Sequence, residues 1–168
     1  MNSAALFEYL KSVFVDCGVD AVNVHDAHKT NILKPGLPAA KVSSADDSLV
    51  RDVDLVSITR SATKETLNKK VYDRTVEFEV ELLHKTTEEA EDLGLAVLAA
   101  LPSRKVIGDV RVDIKAEKMQ RKVFAENKLM RVKDAKVVLV IKITLPVIQT
   151  TERQLITTID ITPKYTEV

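Results

Sequence analysis

Three residues early in the chain carry side chains that could bind a divalent metal ion. His25, Asp26 and His28 lie within four positions of one another, and neutral imidazoles and a carboxylate are ordinary ligands for such ions. No fourth ligand lies close to them in the sequence. The cluster would suit a small metal-assisted enzyme, but a solvated loop is the better interpretation, because three candidate ligands at a strand end without a fourth seldom hold a metal.

The single cysteine, Cys17, could act as a nucleophile only if its thiol were exposed and activated. It follows Leu6, Leu10, Val13 and Phe14 at the three- and four-residue steps of a helical apolar stripe. This spacing favours a thiol packed in the core. One cysteine also excludes an internal disulfide and indicates a reducing compartment.

The motifs of common nucleotide-binding and hydrolytic enzymes are absent from the sequence. No G-x-S-x-G, P-loop, G-x-G-x-x-G or H-E-x-x-H pattern occurs, and four glycines leave little material for a phosphate-binding loop. His84 stands at a predicted strand end and is interpreted as a boundary residue. We therefore predict that the chain is not an enzyme and uses no cofactor and no metal.

Charged residues form two oppositely charged stretches, although the chain as a whole is neutral, with 25 basic and 25 acidic residues. Residues 77–92 hold seven acids and one lysine, whereas residues 115–136 hold eight bases and three acids. Opposite patches can pair between copies in a head-to-tail contact that closes into a ring. Solvated surface is an equally weighted alternative. The subunit-interface candidates are Arg121, Lys122, Arg131, Lys133, Glu88 and Glu91.

The basic stretch has a second interpretation, as a contact for nucleic acid. Its lysines and arginines between residues 118 and 133 could bind phosphates. Phe124 is the only aromatic residue there that could stack on a base, so specific single-strand binding has little support. A nucleic-acid-associated factor using residues 115–136 stays as an alternative of a different class.

Two amphipathic helices and several alternating strands would position these residues. The first helix begins near Ser3 and ends at Gly18, and the second follows a capping box formed by Thr86 and Glu89 and ends at Pro102. A long loop is predicted over residues 26–48, where prolines, glycine and serines break the periodicity. Strands are predicted over residues 21–25, 52–61, 74–84, 110–117, 136–148 and 155–162.

This order predicts a single α+β domain over residues 1–168. We expect an antiparallel or mixed sheet with two main helices packed on one face, a long N-terminal loop and an extra C-terminal strand. The core spans about residues 3–148, and residues 149–168 form the C-terminal extension. No apolar run approaches the roughly 18 residues that a bilayer span needs, so we expect no membrane partner.

A family resemblance rests on four segments of the sequence. They are the strand RTVEFEVELLHK, the helix TTEEAEDLGLAVLAALP and the later strands VRVDIKAE and KVVLVIKITLP. Together they resemble the tail-terminator and related minor tail proteins of long-tailed bacteriophages, over about residues 3–148. The resemblance implies a structural virion protein that forms a ring, usually of six subunits, at the tail end. Such a ring caps the tail tube and joins it to the head-completion (neck) proteins after assembly in the host cytoplasm.

The resemblance also implies partners and a lumen. The tail tube protein, a neck protein and, in a contractile tail, a sheath protein would contact the ring, and DNA would pass through it without specific binding. An acidic lumen would repel the DNA phosphates, and Glu77, Glu79 and Glu81 are the lumen candidates. Because the 26–48 loop and the C-terminal segment depart from the shortest such proteins, another head-tail connector or minor tail protein stays as an alternative. The strand 155–162 could add to a neighbour's sheet.

Overall fold

A computed structural model describes residues 3–28, 36–122 and 135–155 of the chain. The sheet order is β1-β2-β3-β6-β5-β4, with β1 parallel to β2 and with β5 antiparallel to both β4 and β6. The prediction of an α+β chain with a mixed sheet is confirmed. In the described ranges the elements are α1 (Ser3–Asp16), a 3₁₀ turn (Ala21–Asn23), β1 (Val24–Asp26), β2 (Ala39–Arg60), β3 (Lys64–His84), α2 (Thr87–Ala100), β4 (Arg104–Ile107), β5 (Val110–Lys122) and β6 (Ala135–Gln154).

Helix α1 ends where the sequence predicts, in a turn that only glycine adopts readily. Gly18 has a φ of 95°, in the left-handed region. Its N–H donates to the carbonyl of Val15, and the Val19 N–H donates to that of Phe14. These two bonds form a Schellman motif, which satisfies carbonyls that the helix end would leave without partners.

Helix α2 begins with the predicted capping box. The Thr86 hydroxyl accepts a hydrogen bond from the Glu89 amide, and the Glu89 carboxylate accepts one from the Thr86 amide. On the buried side, Gly94 allows a close approach to the sheet, since a Cβ there would lie 3.1 Å from the Met119 sulfur and 3.4 Å from a Val137 methyl.

The hydrophobic core combines one face of α1 and one face of α2 with the inward residues of the strands. Alternation along residues 76–82 of β3 is as predicted, because the four apolar residues are buried and the glutamates between them are only half-buried. The largest fully buried side chains are Phe14, Leu6, Leu10, Leu82, Leu139, Ile141, Ile143, Val19, Val42, Val76, Val80 and Val97.

Four strands, β2, β3, β5 and β6, are longer than the sequence predicts. Residues 39–48, predicted as part of the long loop, belong to β2, and β3 begins ten residues before the predicted position 74, at Lys64. The added residues of β2 from Ser44 onward are exposed or nearly so, so they show no alternation of buried and exposed side chains. Of the predicted loop, residues 29–35 lie outside the described ranges.

Strand β6 continues to Gln154, past its predicted end at residue 148, and it contains Pro146, which has no N–H to donate to a ladder. The last β5 partner of β6 is Thr144, so Pro146 lies where that side of β6 has no described neighbour. Residues 156–162 of the predicted final strand, and residues 123–134 of the basic stretch, lie outside the described ranges.

A short hairpin was missed in the sequence. Strand β4 pairs with β5 through the two-residue turn Gly108–Asp109, with Ile107 opposite Val110 and a φ of 59° at Gly108. Glycine-containing two-residue turns are typical of such hairpins. The dipeptide was therefore a usable signal, but the exposure of β4 removed the alternation that identifies strands.

The chain divides into two compact units. The first comprises residues 1–49 and 74–146 and is called the core unit below; the second comprises residues 50–73 and 147–168. The described residues of the second unit, 50–73 and 147–155, are called the strand unit. Among them, Leu67 is the one buried hydrophobic residue.

Candidate protein–protein interface

The three candidate metal ligands are close in sequence but do not share a site. His25 is only 8% exposed, whereas His28 is exposed and its ring Nε2 lies 3.3 Å from the Ser44 carbonyl oxygen. Asp26 accepts a hydrogen bond from the His28 amide at 3.0 Å, which closes a local turn. Within residues 3–28, 36–122 and 135–155, no group of three or more metal-binding side chains is arranged to hold an ion. The solvated-loop interpretation fits His28 but not His25.

A shallow depression of about 280 Å³ lies beside His28. Its wall mixes apolar and polar side chains from α1, β1, β2 and β3. The lining residues are Ser3, Ala4, Phe7, Asp26, His28, Val42, Ser44 and Phe78. His25, whose buried Nε2 has no hydrogen-bond partner among the described residues, does not line it.

Cys17 is half-buried and packs against the core, in line with the core interpretation. Burial, and then the neighbouring Asp16 carboxylate, raises the pKa of the Cys17 thiol, so the reactive thiolate is disfavoured. His84 stands at the end of β3, as predicted, with Nδ1 2.6 Å from a Glu89 carboxylate oxygen. Burial opposes ionisation of Glu89, but hydrogen bonds from Thr86 and His84 outweigh it and lower the pKa of Glu89.

The lumen candidates lie on an outer sheet face that also carries lysines. Glu77 lies 3.3 Å from the Lys142 ammonium, which lies 2.7 Å from Glu117 as well. Glu81 pairs with Lys136. Glu79 lies between them on β3 and is half-buried. The predicted acidic face is therefore a ladder of ion pairs across β3, β6 and β5.

A bulge in β5 places Glu117 in this ladder. Ala116 pairs with Ile141 and Lys118 pairs with Val140, so Glu117 is the extra residue between two ladder pairs. The hydrogen bond from Lys142 lowers the pKa of the Glu117 carboxyl, and the same contact raises the pKa of Lys142. The sequence alternation placed Glu117 on the outer face, but nothing in it revealed the bulge or the partner.

The six interface candidates are only partly placed by the structure. Glu88 is exposed in the first turn of α2, and Glu91 is half-buried one turn further. Arg121 and Lys122 lie on β5 opposite Val137 and Lys136. Arg131 and Lys133 lie outside the described ranges.

The nucleic-acid interpretation loses one of its cations. The Lys136 side chain is 10% exposed and bound to Glu81, so it is not available to a phosphate. Lys115, by contrast, is largely exposed, with its ammonium 3.7 Å from Glu117.

The strand unit exposes an unusual number of large apolar side chains. Five on β2 are each 47 to 60% exposed. Because they occupy both odd and even positions, and successive side chains of a strand alternate between faces, both faces of the unit present them. Soluble monomers rarely expose so many large apolar side chains along one segment unless another protein covers them. The exposed apolar residues of the strand unit are Val50, Val53, Leu55, Val56, Ile58, Tyr72, Ile148 and Leu155.

Polar side chains of the strand unit are, in contrast, extensively paired within it. Lys70 lies 2.6 Å from Asp52 and 3.3 Å from Asp73, and Arg60 lies 2.7 Å from Glu65. The hydrogen bond from Lys70 lowers the pKa of Asp52.

Hydrogen bonds join the three strands of this unit as well. Asn68 on β3 donates to Ser57 on β2 and accepts from Thr150 on β6. Because these polar groups are hydrogen-bonded inside the unit, the exposed apolar side chains are the part of its surface that would gain most from contact with another protein. The sequence signal for this surface is the shift in apolar phase between Leu55 and Val56, which a bulge or two-sided burial would also produce.

None of the helices in the described part of the chain is long and apolar enough to cross a bilayer. No protein-family model matches the sequence, and no characterised protein matches it. Among solved structures, one chain from "Virion of native gene transfer agent (GTA) particle" aligns over 82% of this chain and 95% of its own length. The TM-score of that alignment is 0.45 and the sequence identity is 15%.

Proposed function

We propose that this chain is a structural protein of a phage-like virion, and specifically a tail-terminator subunit that assembles into a ring. The exposed apolar surface of the strand unit carries the proposal, because such a surface needs a protein partner. The family resemblance of residues 3–148 supports the same role. The ring, usually hexameric, caps the tail tube and contacts a neck protein, at the tail end of the virion.

Two finer features belong to this proposal. Both helices pack on one face of the sheet, and the ion-paired outer face, with Glu77, Glu79 and Glu81 as its acids, lines the channel through which DNA passes. Glu88 and Glu91 of one copy face the basic candidates Arg121, Lys122, Arg131 and Lys133 of the next. The chain acts as one domain of the ring, and residues 149–168 extend it.

Assembly of the purified protein tests the proposal. We expect rings in negative-stain microscopy and a matching multiple of 18.7 kDa in light scattering. The substitutions Val53→Lys and Leu55→Lys should abolish assembly with no change in circular dichroism, because they place charges in the apolar contact. Val22→Lys, at an exposed position of the 3₁₀ turn outside both the strand unit and α2, is the matched control and should still assemble.

The dependence of assembly on salt concentration distinguishes this role from nucleic-acid binding. Assembly through apolar contacts should persist at high salt, whereas binding to a DNA backbone weakens steeply. A particle that stays monomeric at high concentration, or Lys variants that assemble as the wild type does, would contradict the proposal.

A further inference from the structure

Strand β2 has a long free edge in the strand unit. It pairs with β1 only at residues 40–42, and β3 lies on its other side. Among the described residues, positions 50–60 of β2 therefore have a hydrogen-bonded neighbour on one side only. A long edge with apolar side chains is a template for an added strand, and natural proteins rarely leave one uncovered.

The last described residue of the chain marks the end of the β3–β6 ladder. The Leu155 N–H donates to the Thr63 carbonyl at 2.9 Å, and β3 begins at the next residue, Lys64. Before Thr63 the chain turns, with the Ser61 N–H bonded to the Lys64 carbonyl at 2.8 Å. The described part of the β3–β6 ladder ends at this bond, and thirteen residues follow Leu155.

The sequence that follows Leu155 is suited to strand pairing. Residues 156–162 read ITTIDIT, in which six of seven residues are β-branched, and Pro163 comes next. β-branched residues are enriched in strands, and proline interrupts a ladder. Seven extended residues span about 23 Å, enough to pair with most of β2 between residues 50 and 60.

Distance favours the edge of another copy over the edge of the same copy. To pass from β6 across β3 and β2 to the outer side of β2, the chain must cover three strand spacings, about 14 Å. That crossing would use about four of the seven residues and leave too few for a stable pairing. A second copy imposes no such crossing.

We propose that residues 156–162 of one copy add as a strand to the β2 edge, residues 50–60, of a second copy. The main chains supply the hydrogen bonds, and Ile159 and Ile161 pack beside the exposed apolar residues of β2. The two partners use different surfaces, so the contact is head-to-tail and can close a ring. This inference rests on the proposed function and names the contact that joins neighbouring subunits.

Disulfide trapping between separately purified variants tests the contact. In a Cys17→Ser background, one protein carries Ile159→Cys and the other carries a single cysteine at Val53, Leu55, Val56 or Ile58. After mixing and mild oxidation, non-reducing gels should show a crosslinked dimer either for the odd-numbered β2 positions (53 and 55) or for the even-numbered ones (56 and 58), but not for both. Paired strands bring side chains within disulfide distance only on a shared face. A Leu95→Cys partner is the control and should not crosslink.

A second pair of variants separates this inference from the proposed function. Ile159→Pro and Ile161→Pro each remove a backbone N–H donor from the added strand. They should therefore abolish the crosslink and raise the protein concentration needed for assembly at least tenfold. Thr166→Pro, beyond Pro163, should have neither effect. If the wild type forms rings but the crosslink is absent, equal at both parities or equal to the Leu95 control, the inference is wrong and the ring proposal stands. If a chain that carries both cysteines forms only an intramolecular disulfide when the protein is diluted, the inference is also wrong. Monomers without any crosslink would reject both.

Discussion

His25 is a buried imidazole with an unpartnered ring nitrogen. Burial, and then the charges of Lys41 and Lys11, lower the pKa of His25. Below the ordinary histidine pKa of about 6.5, the unfolded chain takes up a proton at this position while the folded chain does not. The stabilising contribution is therefore complete above about pH 6.5 and declines as the pH falls toward the lowered pKa of the folded state.

We expect the free energy of unfolding of the wild type to fall between about pH 7 and pH 5.5, and His25→Leu to flatten that slope. Urea denaturation across this range is the measurement. His28→Leu, at an exposed position three residues away, should keep the wild-type slope. Equal slopes for wild type and His25→Leu would show that the imidazole is not the cause.

At the scale of elements, the cross-strand ladder depends on one lysine. Lys142 of β6 holds both Glu77 of β3 and Glu117 of β5. Without it, two carboxylates would face each other across β6 with no shared cation. A carboxylate whose pKa is lowered by such a contact stabilises the fold above its ordinary pKa and loses that contribution as the pH falls.

Replacing Lys142 with methionine should therefore raise the pKa of Glu117 toward its ordinary value. A carbon-detected NMR titration of the Glu117 carboxyl measures this directly. Lys115→Met provides the comparison, because its ammonium lies 3.7 Å from Glu117 and contributes less than Lys142 does. An unchanged Glu117 titration in Lys142→Met would mean that the bulge, and not the ion pair, sets the pKa.

The elements that could be predicted from the sequence are those with one buried side. Helix α2 and residues 74–84 of β3 each place apolar residues on the core and polar residues outside, so their periodicity is visible. Residues 44–60 form a strand that is exposed throughout, and residues 64–73 are mostly half-buried without a regular alternation, so no periodicity identifies either segment. The partners of Glu77, Glu81 and Glu117 depend on strand register. Alternation shows which face of the sheet a residue lies on, but it does not show which same-face residue of the next strand lies opposite.

At the scale of the whole molecule, stability is expected to differ between the two units. Nearly all of the buried apolar side chains in the described ranges belong to the core unit, while the strand unit contributes only Leu67 to them. Regions with few buried apolar contacts open at low free energy and exchange their amide hydrogens quickly.

In a dilute, monomeric sample we expect amides of residues 50–60 to exchange much faster than those of residues 76–82. Assembly should selectively slow amide exchange in residues 50–60, because a bound partner stabilises the unit that it contacts. Hydrogen exchange followed by mass spectrometry at low and high protein concentration makes the comparison. Uniformly slow exchange in the monomer would contradict this view of the strand unit.

The ladder on the outer sheet face has an electrostatic consequence. Four carboxylates, of Glu77, Glu79, Glu81 and Glu117, lie there with three ammonium groups, of Lys115, Lys136 and Lys142. These charges cancel except for one carboxylate, so beyond one screening length, about 8 Å at physiological ionic strength, the face produces only a weak negative field. A polyanion travelling over it would meet a strongly hydrated, nearly neutral surface that neither traps it nor pushes it away strongly at long range.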